Sequence, residues 1–118
     1  MSRDPLLYLD DIAQAAEKID RSVRPLSFEA FCGNDVIFDA VLFNLHVIGE
    51  AAKKLPDDMK VAMPEVEWSG AAQFRDIIAH HYFALDAQIV WDVVRNRIPG
   101  IRDAARALLA RLDEDGDT

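Results

Sequence analysis

The residues best suited to chemistry lie in one run, QFRDIIAHHYFALD, residues 73 to 86. It gathers Arg75, Asp76, His80, His81 and Tyr82, and it holds two of the chain's 3 histidines. An imidazole takes and gives protons near neutral pH. A guanidinium stays charged, and its planar fork matches phosphate oxygens. Those two groups are the minimum for metal-free cleavage of an RNA phosphodiester. One activates the ribose 2′-hydroxyl or protonates the leaving oxygen, and the other stabilises the charge that builds on phosphorus. On an ideal helix Arg75 and His80 lie roughly 140° apart around the axis. They converge if the helix end is distorted, or if a second copy brings its own pair across a cleft. Tyr82 lies nearly above Arg75 if the helix continues that far.

Plainer readings compete at each position. A histidine pair near a helix C-terminus offsets the helix dipole, and Arg75 can pair at the surface with Asp76 or Glu67. His81 can simply face solvent, and the ring of Tyr82 can pack within the apolar YFAL stretch while its hydroxyl stays exposed. Asp76 and His80 have helical spacing for a metal, but two ligands do not make a site and nothing nearby supplies the rest. No metal and no cofactor is expected.

The elements that must position this run are helical, because the apolar residues step by three and four and no strand-like alternation emerges. Leu9, Ile12, Ala16, Ile19 and Val23 form one stripe, opened by Asp4 as a capping acid before Pro5. Ser27 caps a short helical turn in RPLSFEAFCGN. From Asn34, the residues Ile37, Val41, Leu45, Ile48, Ala52 and Leu55 mark a second long helix. Gly49 inside it costs roughly 1 kcal/mol against alanine, which points to close helix packing there. A short helical piece lies in PDDMKVAMPEVEWSG. Ser69 is expected to cap GAAQFRDIIAHHY, with Ala72, Phe74, Ile77 and Ile78 on its apolar side. After a break at Leu85 and Asp86, AQIVWDVVRNRI turns Ile89, Val90, Val93, Val94 and Ile98 toward the core. Pro99 and Gly100 punctuate before a last amphipathic helix, IRDAARALLARL. Trp68 and Trp91 are expected to anchor the core or a dimer contact, and His46 is expected to be structural. The fold class is therefore all-α, a single-domain antiparallel bundle of four to five helices. The domain spans residues 1–112, and 113–118 form an acidic, frayed tail.

The 118 residues are enough for one core, and 51% hydrophobic with 29% charged residues is a globular composition. A net charge of −8 argues against a general nucleic-acid binder, though not against an enzyme with a local basic cleft. The one cysteine, Cys32, rules out an internal disulfide and suits a small apolar core position in a reducing compartment. Acids interrupt the apolar positions of the N-terminal segment, so neither a signal peptide nor a membrane span is expected. The expected location is the cytoplasm.

Arg75, His80 and Tyr82 also fit the signature R-x-x-x-x-H-x-Y, and NLHVIGEAAKKL (residues 44 to 55) and HHYFALDAQIVWDVV (residues 80 to 94) flank it in order. In these blocks the sequence resembles the HepT-like toxins of the HEPN superfamily, from residue 2 to about residue 101. The resemblance implies a HEPN-like helical bundle that forms a homodimer, with the motifs of both copies lining a shared cleft. It implies a metal-independent endoribonuclease, the toxin of a toxin–antitoxin system, with Arg75 and His80 as catalytic residues and Asp76 and His81 as candidate supporting ones. Its implied partners are an RNA substrate such as tRNA and a cognate MntA-like nucleotidyltransferase antitoxin. That antitoxin is implied to silence the toxin by AMPylation of Tyr82. The chain departs from the pattern in two places. Asp76 stands where relatives often carry asparagine, and it can either orient His80 or repel phosphate. Phe43 stands where they often carry a basic residue. These departures and the acidic charge motivate an alternative: a non-catalytic helical binding module that partners a minimal nucleotidyltransferase.

Overall fold

The computed structural model describes residues 3–81 and 85–116. Their order is α1 Pro5–Val23, α2 Phe28–Cys32, α3 Asp35–Lys54, α4 Asp57–Val61, α5 Trp68–His81, α6 Ala87–Asn96 and α7 Ile98–Gly116. The fold is all-α, with no strand among the described residues.

Local chemistry sets most helix starts. The carboxylate of Asp4 accepts the N–H of Leu6 at 2.9 Å, with Pro5 opening α1. Ser27 does the same for Ala30 at 3.1 Å, Asn34 for Ile37 at 3.0 Å, and Asp86 for Gln88 at 2.8 Å. Each side chain satisfies an N–H that the first helical turn leaves without a partner. Helix α5 starts at Trp68, so Ser69 lies inside its first turn rather than capping it. The reason is burial: Trp68 is packed into the core and is carried by the helix itself. At the other junction Arg97 closes α6, and Ile98, Pro99 and Gly100 form the first turn of α7 instead of a break before it. Proline is tolerated there because a first-turn N–H has no helical partner to lose. The helical backbone of α7 runs on to Gly116, past residue 112.

Helix α1 lies between α3 and α7, and α3 in turn packs on α5. Its whole predicted stripe, Leu9, Ile12, Ala16, Ile19 and Val23, is buried. So are Val41, Leu45, Ile48, Ala52 and Leu55 of the second stripe, with Ile37 packed at its margin. Fully burying a side chain of this size stabilises the fold by about 1.5–3 kcal/mol. Between α1 and α7, Arg102 reaches Asp20 at 2.7 Å and Arg106 reaches Glu17 at 2.9 Å. Numbers rise along one helix as they fall along the other, so the two run antiparallel. Trp91 of α6 stacks on Phe28 and Phe31 of α2, with ring centroids 6.0 and 5.2 Å away, and Phe31 meets Phe38 of α3 at 5.6 Å. This aromatic cluster anchors α6 against the start of α3.

Three expectations about burial also fail. Cys32 is exposed, because it ends the short helix α2 on its outer side while Phe31 takes the core position. Ile77 and Ile89 are also exposed, at 43% and 53%. Their helices turn other residues inward, Trp68 and Ile78 on α5 and Val90 with Val94 on α6, flanked by the partly buried Phe74 and Val93. Among the described residues no helix is long and apolar enough to cross a membrane.

Candidate active site

The packing of α3 against α5 decides where Arg75 sits. A Cβ added to Gly49 falls inside the contact distance of Arg75 Cβ, and 3.0 Å from both Arg75 Cγ and the carbonyl oxygen of Ala71. Only a glycine allows the two backbones to come this close. The penalty for glycine in a helix is thus explained by the arginine opposite.

That arginine is then held by charge. Its side chain is 23% exposed and is paired to Glu50, the residue after Gly49. Its Nε is buried and makes no hydrogen bond of good geometry, with the Glu50 carboxylate lying against it as counter-charge. Its Nη1 donates to Asp76 Oδ1 at 3.2 Å. Asp76 also accepts from Lys53 Nζ at 2.7 Å, which ties α5 back to α3. The Lys53 ammonium, helped by Arg75 against the effect of desolvation, holds the Asp76 carboxyl below the ordinary aspartate range. Two carboxylates and two cations therefore form one compact network of zero net charge. Glu67, the other surface partner considered for Arg75, pairs instead with Arg97 at 3.6 Å.

His80 and His81 lie in the last turn of α5 and both are exposed. Neither has a hydrogen bond or ion pair with another described residue, and the Oδ1 of Asp76 is taken by Lys53 and Arg75 rather than by His80. Helix α5 is unbroken from Trp68 to His81, which leaves Arg75 and His80 roughly 140° apart around one axis. The distortion that would bring them together within one chain does not occur before residue 81. Tyr82 lies outside the described residues. His46 is half-buried on α3, one helical turn before Glu50, and Phe43 is 66% exposed.

Glu50 and Lys53 are the site residues that the sequence reading missed. Both lie in the GEAAKKL segment beside Gly49, and the glycine was the available signal. A glycine that admits a neighbouring backbone also brings the residues beside it against that neighbour.

Comparison with known proteins gives a consistent set of matches. The model of the family described as "Ribonuclease HepT-like" matches residues 12–108. A protein of Thermococcus cleftensis named "Probable ribonuclease HepT" is 38% identical over 102 residues, covering 86% of this chain and 93% of its own. A Methanocaldococcus jannaschii relative is 37% identical over 97 residues, covering 82% of this chain and 80% of its own. One from Caldanaerobacter subterraneus is 31% identical over 109 residues, with 92% and 97% covered. The names of these last two class them as candidate RNases. No solved structure matches the chain at the same level of significance.

Proposed function

The chain belongs to the ribonuclease HepT-like family, and from that premise we propose that it is a metal-independent endoribonuclease, the toxin of a toxin–antitoxin pair. The observation that carries this reading is Arg75. It is set against a helical glycine, with its inner nitrogen sealed and its charge kept at the surface. A merely solvating arginine needs no such seat.

In the proposed reaction the ribose 2′-oxygen attacks phosphorus and the 5′-oxygen leaves, giving a cyclic phosphate and a free 5′-hydroxyl. His80 takes the proton from the nucleophile or gives one to the leaving oxygen. Arg75 stabilises the added negative charge on the phosphoryl oxygens. Because His80 and Arg75 diverge around one straight helix, the pair is completed by a second copy, with both motifs lining one cleft. His81 supports phosphate contact at the rim. An MntA-like nucleotidyltransferase silences the protein by moving AMP from ATP to the phenol oxygen of Tyr82, which loses its proton as pyrophosphate leaves; the adduct puts bulk and negative charge where the RNA phosphate binds. RNA and ATP locate both steps in the cytoplasm.

The test is cleavage of labelled tRNA in excess EDTA by wild type, Arg75→Ala and His80→Ala, after intact mass shows Tyr82 free of adduct. Cleavage by wild type alone is expected, with cyclic phosphate ends. Equal cleavage by either variant removes that residue from the mechanism.

A second reading has its own support, since Arg75 is engaged by two carboxylates and the chain carries a charge of −8. On that reading the protein is a non-catalytic helical module that binds a nucleotidyltransferase. It predicts a stable complex with such an enzyme and no RNA cleavage in any modification state.

A further inference from the structure

We propose that Glu50 is a positioning residue: its carboxylate, set from α3 against the inner edge of Arg75, aims the outer edge of the guanidinium at the RNA phosphate. This rests on the ribonuclease reading above.

A guanidinium has five N–H groups in a fixed plane. The Nε–H of Arg75 is buried and faces Glu50, and one Nη1–H is given to Asp76. The remaining N–H groups have no partner among the described residues. They are the second N–H of Nη1 and the two of Nη2, and donors on both outer nitrogens can bind phosphate oxygens in a bidentate way. Fixing the Nε side fixes the plane, and fixing the plane fixes where that outer edge points.

Glu50 is suited to this task by its place in the chain. It follows Gly49, whose missing Cβ sets the distance between α3 and α5, so its backbone cannot drift relative to Arg75. Its side chain is 36% exposed and faces a guanidinium that is more buried, at 23%. Asp76 is less able to orient the arginine, because it is a neighbour on the same helix and its shorter contact is to Lys53. Lys53 in turn balances the charge of Asp76. Without that lysine two carboxylates would outweigh the one guanidinium that must attract phosphate.

A carboxylate beside a phosphate site has a signature of its own. It repels the substrate in the ground state while it aligns the catalytic group. Removing its charge without changing its shape therefore lowers kcat and does not raise KM. The experiment compares wild type, Glu50→Gln, Glu50→Asp and Arg75→Ala in steady-state cleavage of labelled RNA with EDTA, alongside thermal melts. We expect Glu50→Gln to melt near wild type, to lose about tenfold or more in kcat, and to show an unchanged or lower KM. Glu50→Asp, which keeps the charge on a shorter arm, recovers part of the loss. An unchanged or higher kcat in Glu50→Gln overturns the proposal, because Glu50 is then a bystander or a plug that phosphate displaces. A lowered kcat with a raised KM and a lower melting temperature overturns it too, since the pair is then structural. If wild type does not cleave, or Arg75→Ala matches it, the ribonuclease reading has failed and this inference fails with it. Loss of activity in Arg75→Ala with a wild-type Glu50→Gln sinks only the role of Glu50.

Discussion

Replacing Gly49 with alanine separates stability from activity at this site. The new Cβ would lie 3.0 Å from Arg75 Cγ and from the Ala71 carbonyl oxygen, and closer still to Arg75 Cβ. Carbon atoms rest at about 3.5–4.0 Å, so the helices must part by about 1 Å. A rotamer change cannot relieve the clash, because Arg75 Cβ and the Ala71 carbonyl belong to the frame of α5. Over-packing of this kind costs about 1–3 kcal/mol. Alanine in place of a helical glycine returns about 1 kcal/mol. The net loss is therefore about 0–2 kcal/mol, a fall in Tm of no more than about 10 °C. Activity has no such compensation. A shift of about 1 Å in a catalytic group can cost about 10²-fold. The assays are a thermal melt and single-turnover RNA cleavage in EDTA, with Gly100→Ala as control, since a Cβ there meets nothing within 4 Å. Gly100→Ala should melt at or above wild type and cleave normally. A Gly49→Ala protein that melts above wild type and cleaves at its rate would refute the close approach and the seat it makes for Arg75.

Two further outcomes follow from the charges. Asp76→Asn removes a carboxylate that Lys53 holds below its ordinary range; this frees Lys53 and should tighten RNA binding by about two- to five-fold, the scale of an exposed ion pair. Its folded pKa is depressed, so the stabilisation is present above the unfolded value of about 3.9 and is lost as pH falls through the folded one. Melts from pH 5 down to pH 2.5 should therefore show the gap between wild type and Asp76→Asn closing below about pH 4, and a gap that stays constant would show that the pair adds nothing. Arg102→Ala strips the main cross-helix partner from Asp20, whose side chain is 14% exposed, and should cost about 1–3 kcal/mol by denaturant unfolding, less than a fully buried pair. A loss below about 0.5 kcal/mol would show that Arg24, four residues along α1, is partner enough for Asp20.

How much of this was legible in the sequence depends on whether one chain segment carried the information. The caps at Asp4 and Ser27 and the buried stripes of α1 and α3 were legible, because capping and periodicity are local. Ile77 and Ile89 were not, since their exposure depends on how wide a face the rest of the fold offers α5 and α6. The start of α7 at Ile98 was missed for a related reason: proline and glycine mark a boundary, but a first turn accepts both, and the burial of Ile98 decides which side they fall on. Arg75 and His80 were singled out by residue type together with the family signature, whereas the partners of Arg75 are 25 and 22 positions away in Glu50 and, through Asp76, Lys53. Only Gly49 pointed to them. Its cost to α3 has no local return, so the return had to lie in another element, and that element is the helix that carries the arginine. The same logic bears on the divergence of Arg75 and His80. A straight helix points the two side chains roughly 140° apart, which is why the proposed reading draws the second half of the site from another copy. Mixing an Arg75→Ala copy with a His80→Ala copy should then restore cleavage in the mixed dimer, where one intact arginine can face one intact histidine across the cleft. If the mixture stays as inactive as its parts, the two residues do not act across a dimer.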